Sequence, residues 1–196
     1  MRKIILASHS PRRKKLLQQI GLDFSVEESG YEEKPIQNAT PSEIAKFLSL
    51  EKANLVAVKH QDAIIIAADT LVVIDNEILG KPTSKENARE MLRKLSNRTH
   101  SVVTGFTIID TAKNKTITDC SETKVTFKDL SELEMAAYVE TQDLMDKAGA
   151  YAIQEKGGLF VKSIEGDYFN VVGLPLYAVS KALEEFGVDI LGAYEE

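Results

Sequence analysis

The chain begins with an apolar run, Ile4-Ile5-Leu6-Ala7, that breaks into the polar turn Ser8-His9-Ser10. A short unbroken apolar run closed by turn residues predicts a buried strand. Pro11 opens a segment with Leu16, Leu17 and Ile20 on one helical face and Gly21 at its end. Ser10 is a natural N-cap and Pro11 a natural first helical residue. Residues 22–28 read as a strand. Thr40-Pro41-Ser42-Glu43 is a capping box, and it predicts a helix to about residue 59. Ala63–Ala68 is again continuously apolar. Leu71–Leu79 reads as a hairpin turning at Asp75-Asn76. Thr83-Ser84-Lys85-Glu86 caps a helix carrying Ala88, Met91, Leu92 and Leu95 at helical spacing. Strands follow at about 101–110 and 116–127, and Ser131-Glu132-Leu133-Glu134 caps a fourth helix. Ala150–Gln154 and Leu159–Ile164 read as strands, with Ile164–Tyr168 as a hairpin turn. Pro175 opens a last helix closed by Gly187. Strands and helices interleave without strict alternation, so the pattern predicts a mixed-sheet α/β fold.

Composition narrows the function more than the fold. The 196 residues are 43% hydrophobic and 28% charged, an ordinary globular balance with room for a substantial core. The net charge of −6 argues against indiscriminate nucleic-acid binding. A single cysteine, Cys120, excludes an internal disulfide and a thiolate metal cluster. The apolar opening is too short for a secretory signal, and no run approaches the roughly 20 residues of a membrane span, so the cytoplasm is the expected location.

Charge is nonetheless unevenly placed. Arg12, Arg13, Lys14 and Lys15 occupy the first turn of the first helix, the positive end of its dipole. Cations there oppose the helix until an anion neutralises them, and helix-terminal N–H groups help to bind that anion. Four consecutive positions face every side of a helix. Lys14 and Lys15 are therefore assigned to the surface, and Ser8, Arg12 and Arg13 to phosphate binding. No GxxxxGK[ST] loop is present. Asp69 ends an all-apolar strand, where a carboxylate needs a partner and could bind a metal, orient water or act as general base. Lys81, in Gly80-Lys81-Pro82, could return beside it. Glu32 or Glu33 could join Asp69 on a hard cation such as Mg²⁺. Lys52, mid-helix, reads by itself as surface. Gln154 can donate and accept, which suits a base edge but also suits a strand end. His60 and His100 read as structural, and Cys120 as inert.

Taken in order, Leu6-Ala7-Ser8-His9-Ser10-Pro11-Arg12-Arg13-Lys14-Lys15-Leu16-Leu17, Ala68-Asp69-Thr70, Gly80-Lys81-Pro82, Lys147–Gln154 and Asn170-Val171-Val172-Gly173-Leu174-Pro175 resemble the blocks of the Maf family. These are septum-formation-inhibitor-like nucleotide pyrophosphatases, and the resemblance spans nearly the whole chain as a single domain, 1–196. It implies an α/β fold with a mixed, twisted central sheet flanked by helices and two lobes around a cleft, similar to inosine-triphosphate pyrophosphatases. It implies hydrolysis of a nucleoside triphosphate to the monophosphate and pyrophosphate, a house-cleaning role. Asp69 would be the general base, with Ser8, Arg12, Arg13, Lys52 and Lys81 on the phosphates. Glu33 and Asp69 would serve a divalent metal, Mg²⁺ or Mn²⁺. Arg12, Thr70 and Gln154 match positions associated with base choice. The Pro11-Arg12-Arg13 opening together with Gln154 looks like the subgroup acting on dTTP, UTP and modified pyrimidine triphosphates. His9 stands where small residues are common in the family. The competing expectation is a nucleotide-binding regulator of septum formation without significant catalysis. The expected partner is the nucleoside triphosphate, with a homodimer left open and neither membrane nor nucleic acid expected.

Overall fold

Strand-forming and helix-forming segments fall largely where the apolar pattern puts them. The computed structural model describes residues 2–32, 36, 38–141 and 144–192. Strand β1 is Lys3–Leu6, helix α1 Pro11–Gln19, strand β2 Ser25–Val26 and helix α2 Pro41–Ala57. Strand β3 (Ala63–Ile74) and strand β4 (Glu77–Leu79) form a hairpin, followed by helix α3 (Lys85–Leu95). Two long neighbouring strands follow, β5 (Thr99–Asp110) and β6 (Lys115–Phe127), and then helix α4 (Glu132–Thr141). Two 3₁₀ turns, Ala148–Ala150 and Lys156–Phe160, lead to strand β7 (Val161–Glu165), and helices α5 (Tyr168–Val172) and α6 (Leu176–Glu184) complete the chain.

The strands lie in one mixed sheet of order β2-β1-β3-β5-β6-β7, with β4 paired to β3. The β1 strand pairs in parallel with both β2 and β3, whereas β3–β4 and β6–β7 are antiparallel. By its contacts the chain divides into two compact units. The first holds 1–69, 104–121 and 173–196, and the second 70–103 and 122–172. One core of the first unit joins Ile5 of β1 and Ala7 just after it to Ala53 and Val56 of α2, Ala63, Ile65 and Ala67 of β3, and Ile109 of β5. The second unit is built around Leu92 and Leu95 of α3, Val125 and Phe127 of β6, and Tyr138, Tyr151 and Phe160. Its rings meet edge to face, with Phe127 4.8 Å from Tyr151 and Tyr138 4.7 Å from Phe160.

Local signals act as the sequence predicts. Thr40 and Glu43 form the reciprocal capping box of α2. Ser84 Oγ caps α3 by accepting from the Asn87 N–H, and Ser131 and Glu134 exchange bonds at the start of α4. Asp75 and Asn76 turn the β3–β4 hairpin at φ 51° and 63°, as a two-residue primed turn requires.

Four expectations are corrected. The strand at 22–28 shrinks to Ser25–Val26, because it pairs with β1 over only two residues. The β3 strand continues past Ala68 to Ile74 as the first arm of the hairpin. Ile164–Tyr168 is a strand-to-helix junction, in which the Asp167 carboxylate accepts from the Phe169 N–H at 2.7 Å as α5 begins. Ala150–Gln154 is not a strand. Gly149 and Ala150 both adopt positive φ, and the chain turns at Ala152–Glu155 through a Glu155 N–H bond to the Ala152 carbonyl. The segment is apolar because Ala150, Tyr151 and Ala152 are buried, not because it pairs with a neighbouring strand.

Candidate functional site

The basic turn is built from its own sequence. Ser10 Oγ caps α1 by accepting from the Arg13 N–H, and the first helical turn contains no acid. Ser8 Oγ accepts from the Ser10 N–H and from Arg13 Nη1, both at 3.2 Å. A hydroxyl has two acceptor positions and one proton, so this arrangement turns the Ser8 proton toward any further acceptor. Arg13 Nε donates to the Gly173 carbonyl at 2.8 Å. Two contacts thus fix the plane of the guanidinium before any anion arrives, which lowers the ordering cost of binding one. Arg12 is half-buried, whereas Lys14 and Lys15 are exposed, as expected of surface lysines.

Asp69 lies on β3 at 7% exposure, and the Lys52 ammonium of α2 hydrogen-bonds its Oδ1. Both side chains are largely withdrawn from water, at 15% and 10% exposure. The carboxylate therefore has the partner that its burial demands. Lys52, which reads as surface in the sequence, is a half-buried partner of Asp69, because its helix α2 packs on β3. The parallel register joins this pair to the basic turn. Leu6 pairs with Ile66, and the Ala7 N–H donates to the Ile66 carbonyl at 2.8 Å. Ser8 follows the end of β1, and Asp69 lies within β3 three residues past the last pair with β1. Both therefore stand beyond the carboxyl-terminal end of the β1–β3 ladder, the side where ligands gather in α/β sheets.

Thr70 follows Asp69 directly and is half-buried. Lys81 and Gln154 belong to the second unit, and both are exposed. The hairpin register pairs Val72 with Leu79 and ends two residues before Lys81. Glu32 is exposed, and Glu33 lies outside the described residues. His60 is structural, with Nε2 2.8 Å from Glu27 Oε2. His100 is also structural, buried with Nε2 2.8 Å from the Tyr151 hydroxyl. Gly173 is a contributor that side-chain chemistry in the sequence does not single out. It acts through its carbonyl, and the only signal was its place in the Asn170–Pro175 block.

No group of three or more His, Cys, Asp or Glu side chains that could hold a metal ion occurs among the described residues. Mg²⁺ needs no such cluster, since it is held by one or two carboxylates together with water and substrate phosphates. Asp69, a carboxylate on the same side as a cationic turn, fits that donor set.

The fold and the site define an α/β protein with a basic turn after β1 and a lysine-paired carboxylate on the neighbouring parallel strand β3. Solved structures share this fold: a Staphylococcus aureus Ham1 protein matches with a TM-score of 0.55 at 15% identity, covering 94% of this chain and 99% of that one. A HAM1 protein from Coxiella burnetii matches with a TM-score of 0.52 at 16% identity, covering 94% of this chain and 100% of that one. The chain belongs to the Maf-like protein family, whose family model matches residues 3–186. A Bacillus anthracis protein named dTTP/UTP pyrophosphatase is 48% identical over 193 residues, 98% of this chain and 100% of its own length. A protein of the same name from Methanococcoides burtonii is 49% identical over 191 residues, 97% of this chain and 98% of its own. No helix among the described residues is long and apolar enough to cross a membrane.

Proposed function

We propose that this protein is a nucleoside triphosphate pyrophosphatase that hydrolyses dTTP and UTP, and modified pyrimidine triphosphates, to the monophosphate and pyrophosphate. The observation that carries the reading is the partly buried Asp69–Lys52 pair on the same side of the sheet as the Ser8–Arg13 turn. Full-length relatives named for this activity support it. In this reading the whole chain works as one domain, in the cytoplasm, with a homodimer as an open assembly.

Catalysis of such a transfer is mostly positioning and charge stabilisation. Arg12, Arg13 and Ser8 take the phosphates, with Arg13 already aimed by Ser8 and Gly173. Asp69 accepts a proton from water as the water oxygen bonds to the α-phosphorus. The bond from that phosphorus to the bridging oxygen breaks, and pyrophosphate leaves with the electron pair. Lys52 orients the Asp69 carboxylate and, with Lys81, offsets negative charge on the phosphates. Thr70, Gln154 and Arg12 select the base. Asp69 and Glu33 would hold a divalent cation, Mg²⁺ or Mn²⁺, which when bound supplies positive charge at the phosphate oxygens.

The test is a panel of purine and pyrimidine triphosphates incubated with the protein and Mg²⁺ or Mn²⁺, followed by a pyrophosphate assay. Release from dTTP and UTP is expected. Release from purine nucleotides alone would overturn the base assignment, and no release at all would favour a nucleotide-binding regulator.

A further inference from the structure

The second unit contains a turn whose geometry the functional reading leaves unexplained. Gly149 has φ 65° and ψ 15°, and the next residue, Ala150, has φ 60° although it carries a Cβ. A non-glycine residue in the left-handed region is uncommon and marks a conformation held by its surroundings. Ala150 is fully buried, and its N–H donates to the Lys147 carbonyl at 3.1 Å. The Gly149 N–H donates to the Gly80 carbonyl at 3.0 Å. That carbonyl belongs to the peptide bond that enters Lys81.

The packing around this contact is tight. A Cβ on Gly149 would stand 2.9 Å from Val72 Cγ1 and 3.2 Å from Val72 Cβ and Cγ2. Val72 pairs with Leu79 across the hairpin, so the turn rests on the last pair of the ladder from which Gly80 and Lys81 emerge. On the far side of Lys81, Pro82 is buried. The exposed ammonium thus projects from a backbone pinned at both ends. The turn is anchored in its own direction by Tyr151, whose hydroxyl lies 2.8 Å from His100 Nε2 and whose ring meets Phe127 edge to face.

We propose that Gly149 is a positioning residue for Lys81: its N–H fixes the Gly80–Lys81 peptide through a close approach to Val72 that only glycine allows. The inference rests on the reading of Lys81 as a phosphate-holding group. Gly149 itself touches no substrate and acts only through where it puts Lys81.

A double-mutant cycle tests this, with pyrophosphate release from dTTP as the readout. Displacing a catalytic group by about 1 Å costs up to roughly a hundredfold in rate, so Gly149→Ala should lower kcat/KM by a comparable factor. Lys81→Ala should cost little more in the Gly149→Ala background than Gly149→Ala does alone, because the misplaced ammonium is already ineffective. Two losses that multiply would overturn the inference, since glycine would then matter for folding and not for Lys81. If Gly149→Ala does not fold, the same cycle is run on Gly149→Ala with Val72→Ala, which removes the two Cγ atoms, and Val72→Ala is the reference. Unchanged kcat/KM in Lys81→Ala alone would remove the role of Lys81 and the inference with it. That outcome is distinct from a multiplicative cycle, which removes the inference only.

Discussion

At the scale of single residues, the site depends on which atoms of a charged group are already held. Arg13 uses Nε on the Gly173 carbonyl and Nη1 on Ser8 Oγ, so its value lies in orientation as well as charge. Lysine at this position keeps the charge and loses the fork. Hydrogen bonds to charged groups are worth about 1.5–3 kcal/mol, so Arg13→Ala should lower kcat/KM for dTTP by roughly tenfold to a hundredfold. Arg13→Lys should recover only a small part of that loss, and Lys14→Ala, on the exposed face, should change nothing. Steady-state kinetics on the three variants check this, and full recovery in Arg13→Lys would reduce the arginine to a point charge. The separation of Arg13 from Lys14 is legible in the sequence, because position along the first helical turn decides it. The pairing of half-buried Lys52 with Asp69 is not legible there. It follows from how α2 packs on β3, and no local signal on the helix marks the face that meets Asp69.

At the scale of elements, α2 carries Lys52 to Asp69, so its seating controls the site. It approaches the sheet so closely at Gly105 of β5 that a Cβ there would stand 2.3 Å from the Ala45 backbone. Backbone cannot yield as a flexible side chain can. Gly105→Ala should therefore destabilise the protein by about 3 kcal/mol or more, at the upper end of overpacking costs. Urea unfolding measures this, and a loss below 1 kcal/mol would contradict such close packing. Thr40→Ala, which deletes the cap of the same helix, should cost about 1 kcal/mol. Capping boxes and the β3–β4 hairpin were legible because a few adjacent residues determine them. Ala150–Gln154 was not, because an apolar run looks the same whether it pairs in a sheet or turns within a core. Only its contacts with His100, Phe127 and Val72 decide between the two.

At the scale of the whole molecule, buried ionisable groups set the response to acid. Burial lowers His100 from its ordinary value to about 4, and its Nε2 faces the Tyr151 hydroxyl. A depressed folded-state value means that the unfolded chain binds the proton more readily. Its contribution is therefore fully present above about pH 6.5 and is lost as pH falls toward 4, a change of up to about 3 kcal/mol. His100→Gln, which can still bond Tyr151 but does not titrate, should flatten the fall in Tm between pH 6.5 and 4, and an unchanged slope would exclude His100 as its source. Below that window the bidentate Arg2–Asp110 pair takes over. The Arg2 hydrogen bonds hold Asp110 at about 2, so its contribution persists above the ordinary aspartate range and disappears as pH falls toward 2. The mixed α/β class was legible from interleaved apolar runs. The resemblance implied two lobes, but which segments make up each unit was not legible, because that depends on contacts between segments far apart in the chain. The central claim, that Asp69 activates water for pyrophosphate release from a pyrimidine triphosphate, is tested most directly by comparing dTTP turnover in the protein and in Asp69→Asn, with circular dichroism and dTTP binding measured on both. A loss of about a thousandfold or more in kcat is expected, the order contributed by a general base, with fold and nucleotide binding retained. Near-normal kcat in a folded Asp69→Asn protein would contradict it.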